Sequence, residues 1–119
     1  MRTLAELSAD VLEGLRITSA GETASAEDTD LVENTYTTKL AEWRRRGMVW
    51  WTYTSRSTEE IPDEVFGVLV DLVENEVGAA FGKGLGGSAK RAEERRLLAG
   101  LRELNVKPAS GEPTRFSIY

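Results

Sequence analysis

Between Pro62 and Phe81 the chain carries a helical pattern that is apolar around most of its circumference, and no other stretch narrows the possible folds as much. Val65, Leu69, Leu72, Val73, Glu76 and Ala80 trace one face, while Phe66, Val68, Val70 and Val77 make much of the remainder apolar. A helix of this kind cannot be satisfied by a single neighbour and belongs at the centre of a bundle. Its start is marked by Pro62, which suits a first turn, and by Asp63 and Glu64, which complement a helix N-terminus.

Three further helices supply the packing partners. In the first, over about residues 3–15, Leu4, Leu7, Val11, Leu12 and Leu15 recur at the spacing of one helical face. Polar residues from Thr18 to Thr23, with Gly21 among them, end it. The second opens at Ser25, whose side chain can cap the first turn ahead of Glu27 and Asp28. Val32, Tyr36, Leu40 and Trp43 form its apolar stripe. Arg44, Arg45 and Arg46 fill its last turn, and Gly47 stands where a left-handed cap belongs. The fourth runs from a cap at Ser88 to about Leu104, after the break at residues 82–87, with Leu97, Leu98, Leu101 and Leu104 apolar and a charged start from Lys90 to Arg96.

Two segments are not helical in pattern. Met48 to Thr54 is rich in aromatic and β-branched residues and reads as extended. It has no second strand within the chain, so it either packs across the helices or pairs with a segment of another copy. Alternation puts Trp51 and Tyr53 on one side and Trp50 on the other, so one side can complete the core while the other meets a neighbour. Trp50, Trp51 and Tyr53 are therefore the candidate inter-subunit contact. The C-terminal stretch, after a Pro- and Gly-containing spacer, ends with Phe116, Ile118 and Tyr119 around Ser117. It either adds to a partner's sheet or groove or folds back on its own bundle. The expected fold class is all-α: a four-helix bundle over residues 1–106, with an extended aromatic linker, and an extended C-terminal arm at 107–119.

Composition matters here mainly through what is missing. The chain has no histidine and no cysteine, which removes disulfides, thiolate and imidazole metal ligands, cysteine nucleophiles and the commonest general base. The glycine-rich stretch is not a phosphate loop: Gly78 and Gly82 are one residue too close, Gly84 stands where Ser or Thr must hold magnesium, and a helix precedes it. Counted from Asp28, an EF-hand would need glycine where Glu33 stands, so Asp28, Asp30 and Glu33 read as helix N-terminal acids. No carboxylate pair is singled out for glycoside hydrolysis. A non-enzymatic protein with no cofactor and no metal is expected. No apolar run reaches the roughly 18 residues of a membrane span, and the N-terminus lacks signal-peptide character, so a soluble protein made in a cytoplasm, with no membrane partner, is expected.

Charge is divided along the chain. The formal net charge is -5, but residues 1–82 hold 7 basic and 16 acidic side chains, and residues 83–119 hold 8 basic and 4 acidic ones. An acidic body with a basic C-terminal third suits contact between identical copies, or a basic arm gripping a different partner. Arg44, Arg45 and Arg46 can contact phosphates, though cations at a helix C-terminus are also the ordinary structural choice.

These segments together resemble the head–tail adaptor (connector) family of tailed bacteriophages and gene transfer agents, and the related tail accessory factor of short-tailed phages. The resembling stretches are TLAELSADVLEGLRI at 3–17, AGETASAEDTDLVENTYTTKLAEWRRRGMVWW at 20–51, EIPDEVFGVLVDLVENEVGAAFG at 60–82, and the final charged helix. Within them Gly21-Glu22-Thr23, Ser25 to Asp28, Trp43, Gly47 and Ile61-Pro62 carry the pattern. The resemblance implies a twelvefold ring of identical subunits under the portal protein, in the virion neck, with a stopper or tail protein below. It implies passage of double-stranded DNA without sequence-specific binding, and a C-terminal arm that docks on the portal through Arg115, Phe116, Ile118 and Tyr119. The main rival reading is a small helical DNA-binding regulatory protein; an enzyme using carboxylates is the third.

Overall fold

The computed structural model describes residues 1–19, 23–84 and 86–104. It is all-α, with four helices and, among the described residues, no strand. The first helix, α1, spans Leu4–Gly14 and buries Leu4, Leu7, Val11 and Leu12. It opens with a reciprocal capping box. Thr3 Oγ1 accepts from the Glu6 amide at 3.1 Å, and the Glu6 carboxylate accepts from the Thr3 amide at 2.9 Å. The second, α2, spans Ala26–Arg45 and buries Val32, Tyr36, Leu40 and Trp43, the stripe expected from the sequence. Ser25 Oγ accepts from the Asp28 amide at 3.2 Å. Just beyond the C-terminal end Gly47 takes φ +76°, the left-handed conformation that its position predicted.

The third helix, α3, covers Asp63–Val77, shorter than the sequence suggested, with Pro62 as its N-cap residue rather than inside the first turn. A 3-10 turn at Gly78–Phe81 follows, closed by Gly82 at φ +71°. The reason lies at Gly78, where the chain doubles back. Lys83 donates its amide to the Gly78 carbonyl at 2.8 Å. The Gly84 backbone lies so close that a Cβ on Gly78 would sit 2.9 Å from its Cα. Two glycines in van der Waals contact thus permit a turn that side chains would block. Ala80, expected on the apolar face, is consequently exposed, and Glu76 pairs with lysines instead of facing the core. The fourth helix, α4, spans Gly87–Leu104, so Ser88 lies in its first turn rather than capping it.

α3 packs against each of the other three helices, which is the central place its sequence required. α1 and α2 also pack on each other, whereas α4 lies against α3 alone. Leu97, Leu98 and Leu101 seat α4 on the common core, and Asn75 Nδ2 donates to the Lys90 carbonyl at 3.2 Å. Between α2 and α3 the chain crosses the bundle without forming a ladder, and Met48, Val49 and Trp51 are buried on the way. Of the two fates open to this segment, packing across its own helices is the one observed. Its far end clasps the start of the chain. Arg2 and Ile61 exchange amide-to-carbonyl bonds at 2.8 and 3.0 Å as an isolated antiparallel bridge, and the Ala5 amide donates to the Arg56 carbonyl at 3.0 Å. The Arg2 guanidinium stacks over Phe66, 4.1 Å from the ring centre.

Candidate interaction surfaces

The aromatic link divides its residues between core and surface differently from simple alternation. Trp51 is 5% exposed and donates its indole N–H to Tyr36 Oη at 3.1 Å, tying the link to the buried stripe of α2. Burial and the low-dielectric surroundings push the Tyr36 hydroxyl well above its ordinary range, so it stays a neutral partner. Trp50 is half-buried and meets Trp51 edge to face at 5.5 Å. Tyr53 stands 42% exposed at a small groove that it shares with Thr37, Leu40, Ala41, Arg44 and Thr52. Trp51 and Tyr53 both lie against α2 but differ in depth, and burial along the link does not alternate strictly, since Met48 and Val49 are both buried. Of the three, Trp51 serves the core, while Tyr53 and the outer part of Trp50 remain open to a neighbour.

Two ionic assemblies hold the polar seams. Arg56 forms a fork with Glu33, at 3.1 Å from Nε and 2.9 Å from one terminal nitrogen, and Glu33 is only 12% exposed. Glu33 also accepts from Ser8 Oγ at 3.2 Å, so one carboxylate joins α1, α2 and the link. Lys39, 18% exposed, lies 3.4 to 3.6 Å from Glu42, Glu76 and Glu94, which belong to α2, α3 and α4. Burial works against its charge, but the surrounding carboxylates outweigh it and raise the Lys39 pKa above the ordinary value.

The remaining charge is strongly segregated. Between the end of α1, α3 and the glycine turn lies an open hollow lined by Asp71, Glu74, Asn75, Lys83 and Glu93. Glu74 is pressed against the bare backbone of α1: a Cβ on Gly14 would stand 2.1 Å from its carboxylate. Burial, and then the like charges of Asp71 and Asp10, lift the Glu74 carboxyl from 4.5 to about 7. Asp71 is raised too, by burial first, with Arg96 opposing and Glu93 reinforcing the shift. Asp10, whose charge reaches Glu74, and Glu13 are both exposed on α1. On α4, by contrast, Arg91, Arg95 and Arg102 are exposed, and none pairs with a carboxylate among the described residues.

Arg44, Arg45 and Arg46 are all exposed at the end of α2, with Arg46 3.4 Å from Glu42. Asp28 lies in the first turn of α2, as expected of a helix-terminal acid. Arg115, Phe116, Ile118 and Tyr119, with the whole expected arm at 107–119, lie outside the described residues, as do Gly21 and Glu22. Among the described residues no group of three or more acidic side chains is arranged to hold a metal ion, and no helix is long and apolar enough to cross a membrane. The Glu74 cluster and the Glu33–Arg56 fork escaped the sequence reading, since both need contacts between distant segments. The Thr3 capping box was legible as Thr-x-x-Glu before an apolar run. No protein-family model, curated protein or solved structure matches the chain.

Proposed function

We propose that this chain is a non-enzymatic structural subunit of a head–tail connector, assembling as a homo-oligomeric ring beneath a portal protein in the neck of a tailed phage or phage-like particle. In that place it lengthens the channel for double-stranded DNA and offers a platform to a stopper or tail protein. The reading is carried by the punctuation that the chain shares with such adaptors. Ser25, Gly47 and Pro62, on which the resemblance rests, are a helix cap, a left-handed stop and a second helix cap. A largely acidic body also suits a channel that must let DNA slide rather than hold it. Twelve small subunits would multiply modest contacts by symmetry, and an arm of residues 107–119 docked on the portal would add a linked binding event.

The exposed arginines of α4 favour one second reading, a small DNA-binding regulator. Particle mass separates the two. Mass photometry of the protein alone and with the portal protein of the same genome should give portal-dependent rings, lost on deleting residues 112–119. A monomer or dimer that ignores the portal and binds duplex DNA in a salt-sensitive way would refute the connector reading and establish the regulator.

A further inference from the structure

Arg96 of α4 serves the acidic cluster of its own copy, acting on Asp71 and pairing with Glu93, but three other arginines of the helix do not. At 100° per residue, Arg91, Arg95 and Arg102 lie within about 20° of directly opposite Glu93 on the helix. Glu93 is the α4 residue that lines the hollow beside Glu74. The arginine stripe therefore faces away from that hollow, and α1, which carries Asp10 and Glu13, makes no packing contact with α4. The stripe extends over about 16 Å of helix, enough to engage several carboxylates at once. Both faces are exposed and opposite in sign, and Asp10, Glu13, Arg91, Arg95 and Arg102 have no ion-pair partner among the described residues.

We propose that the arginine face of α4 (Arg91, Arg95 and Arg102) seats on the acidic α1–α3 face of a second copy, formed by Asp10 and Glu13 with Asp71 beside them. The contact rests on the connector reading and specifies how neighbours in such a ring meet. Because the two faces are different surfaces of one molecule, each bound pair leaves one of each kind free. Association is head-to-tail, and it closes into a ring when the rotation per subunit divides a full turn. Among the described residues of its own copy, Lys83 lines the acidic ground and Arg96 acts on Asp71, which leaves room for further cations beside Asp10 and Glu13. A neighbour's guanidinium groups supply them, in the planar geometry that suits carboxylates. Charge pairs of this kind fix orientation and register between partners.

A charge exchange tests the contact. One variant carries Arg91→Glu, Arg95→Glu and Arg102→Glu; the other carries Asp10→Arg and Glu13→Arg. Each is examined alone and in equal mixture, with the portal protein present, by mass photometry, and by circular dichroism for folding. Like faces repel in each variant alone, so rings are lost, while the mixture alternates complementary faces and regains rings of wild-type mass. Variants that assemble alone as the wild type does would overturn the contact and leave the connector reading intact. A mixture that stays unassembled, although both variants are folded, would also overturn it. Wild-type protein that forms no ring with the portal but binds duplex DNA through these arginines would remove the connector reading and the contact with it.

Discussion

Replacing Glu74 by glutamine tests the electrostatics of the hollow at the end of α1. In the folded protein this carboxyl holds its proton up to about pH 7, against 4.5 for an ordinary glutamate. The groups around it are Asp10 on α1, Asp71 on α3, Lys83 in the glycine turn and Glu93 on α4, and the acids prevail. The folded state therefore binds the proton more tightly than the unfolded chain does. Stability contributed by the protonated form is complete below about pH 4.5 and is lost as pH rises through 7. At full strength that displacement corresponds to about 3 kcal/mol, and solvent reaching the half-buried side chain reduces it to roughly 1–2 kcal/mol. Glutamine is neutral throughout, fits the same space against Gly14 and should remove the loss. Urea unfolding of both proteins from pH 4.5 to 8 gives the comparison. The variant should gain on the wild type with rising pH, reaching about 1–2 kcal/mol at pH 8. Parallel stability curves for the two proteins would refute the reasoning.

Three other outcomes follow from the packing. Tyr36→Phe strands the buried Trp51 N–H and should cost about 1–2 kcal/mol; Tyr53→Ala should change stability by no more than about 0.5 kcal/mol, and chemical denaturation measures both. Arg56→Ala leaves the nearly buried Glu33 carboxylate with Ser8 as its remaining side-chain donor and should lower stability by about 1–2 kcal/mol. High salt should reproduce only part of this loss in the wild type, because Arg56 is open to solvent while Glu33 is largely covered. Gly47→Ala forces a side chain into the left-handed region and should cost about 1 kcal/mol, seen as a lower Tm in calorimetry.

Much of this architecture can be read from residue spacing, and the exceptions have physical causes. Val32, Tyr36, Leu40 and Trp43 announce a buried face because helical periodicity converts directly into a side of a cylinder. The near-complete apolar girth of α3 likewise dictates that it touch every other helix. The end of α3 was harder: Gly78 and Gly84 must meet before the last turn tightens, and nothing local in either says so. The burial of both Met48 and Val49, neighbours in the link, has a similar reason. A link that forms no ladder has no fixed pleat, so its side chains follow the surfaces it crosses. The charged candidate surfaces were legible only as a charge imbalance between the two parts of the chain. Which arginines stay unpaired, and which carboxylates crowd together, depends on where α4 docks.

The clasp between Arg2 and Ile61 bears on how a growing chain acquires this structure. α1 is made before the partners that fix its entry, the Arg56 carbonyl and Ile61, which are separated from it by the whole of α2 and the aromatic link. During synthesis those partners emerge several seconds after α1 at typical elongation rates, and a helix of this length is marginal in isolation meanwhile. α2 and the aromatic link as far as Ile61 thus have to emerge before the clasp on α1 can close. Until they do, the nascent chain holds the apolar face of α1, Leu4, Leu7, Val11 and Leu12, without the clasp that fixes its entry.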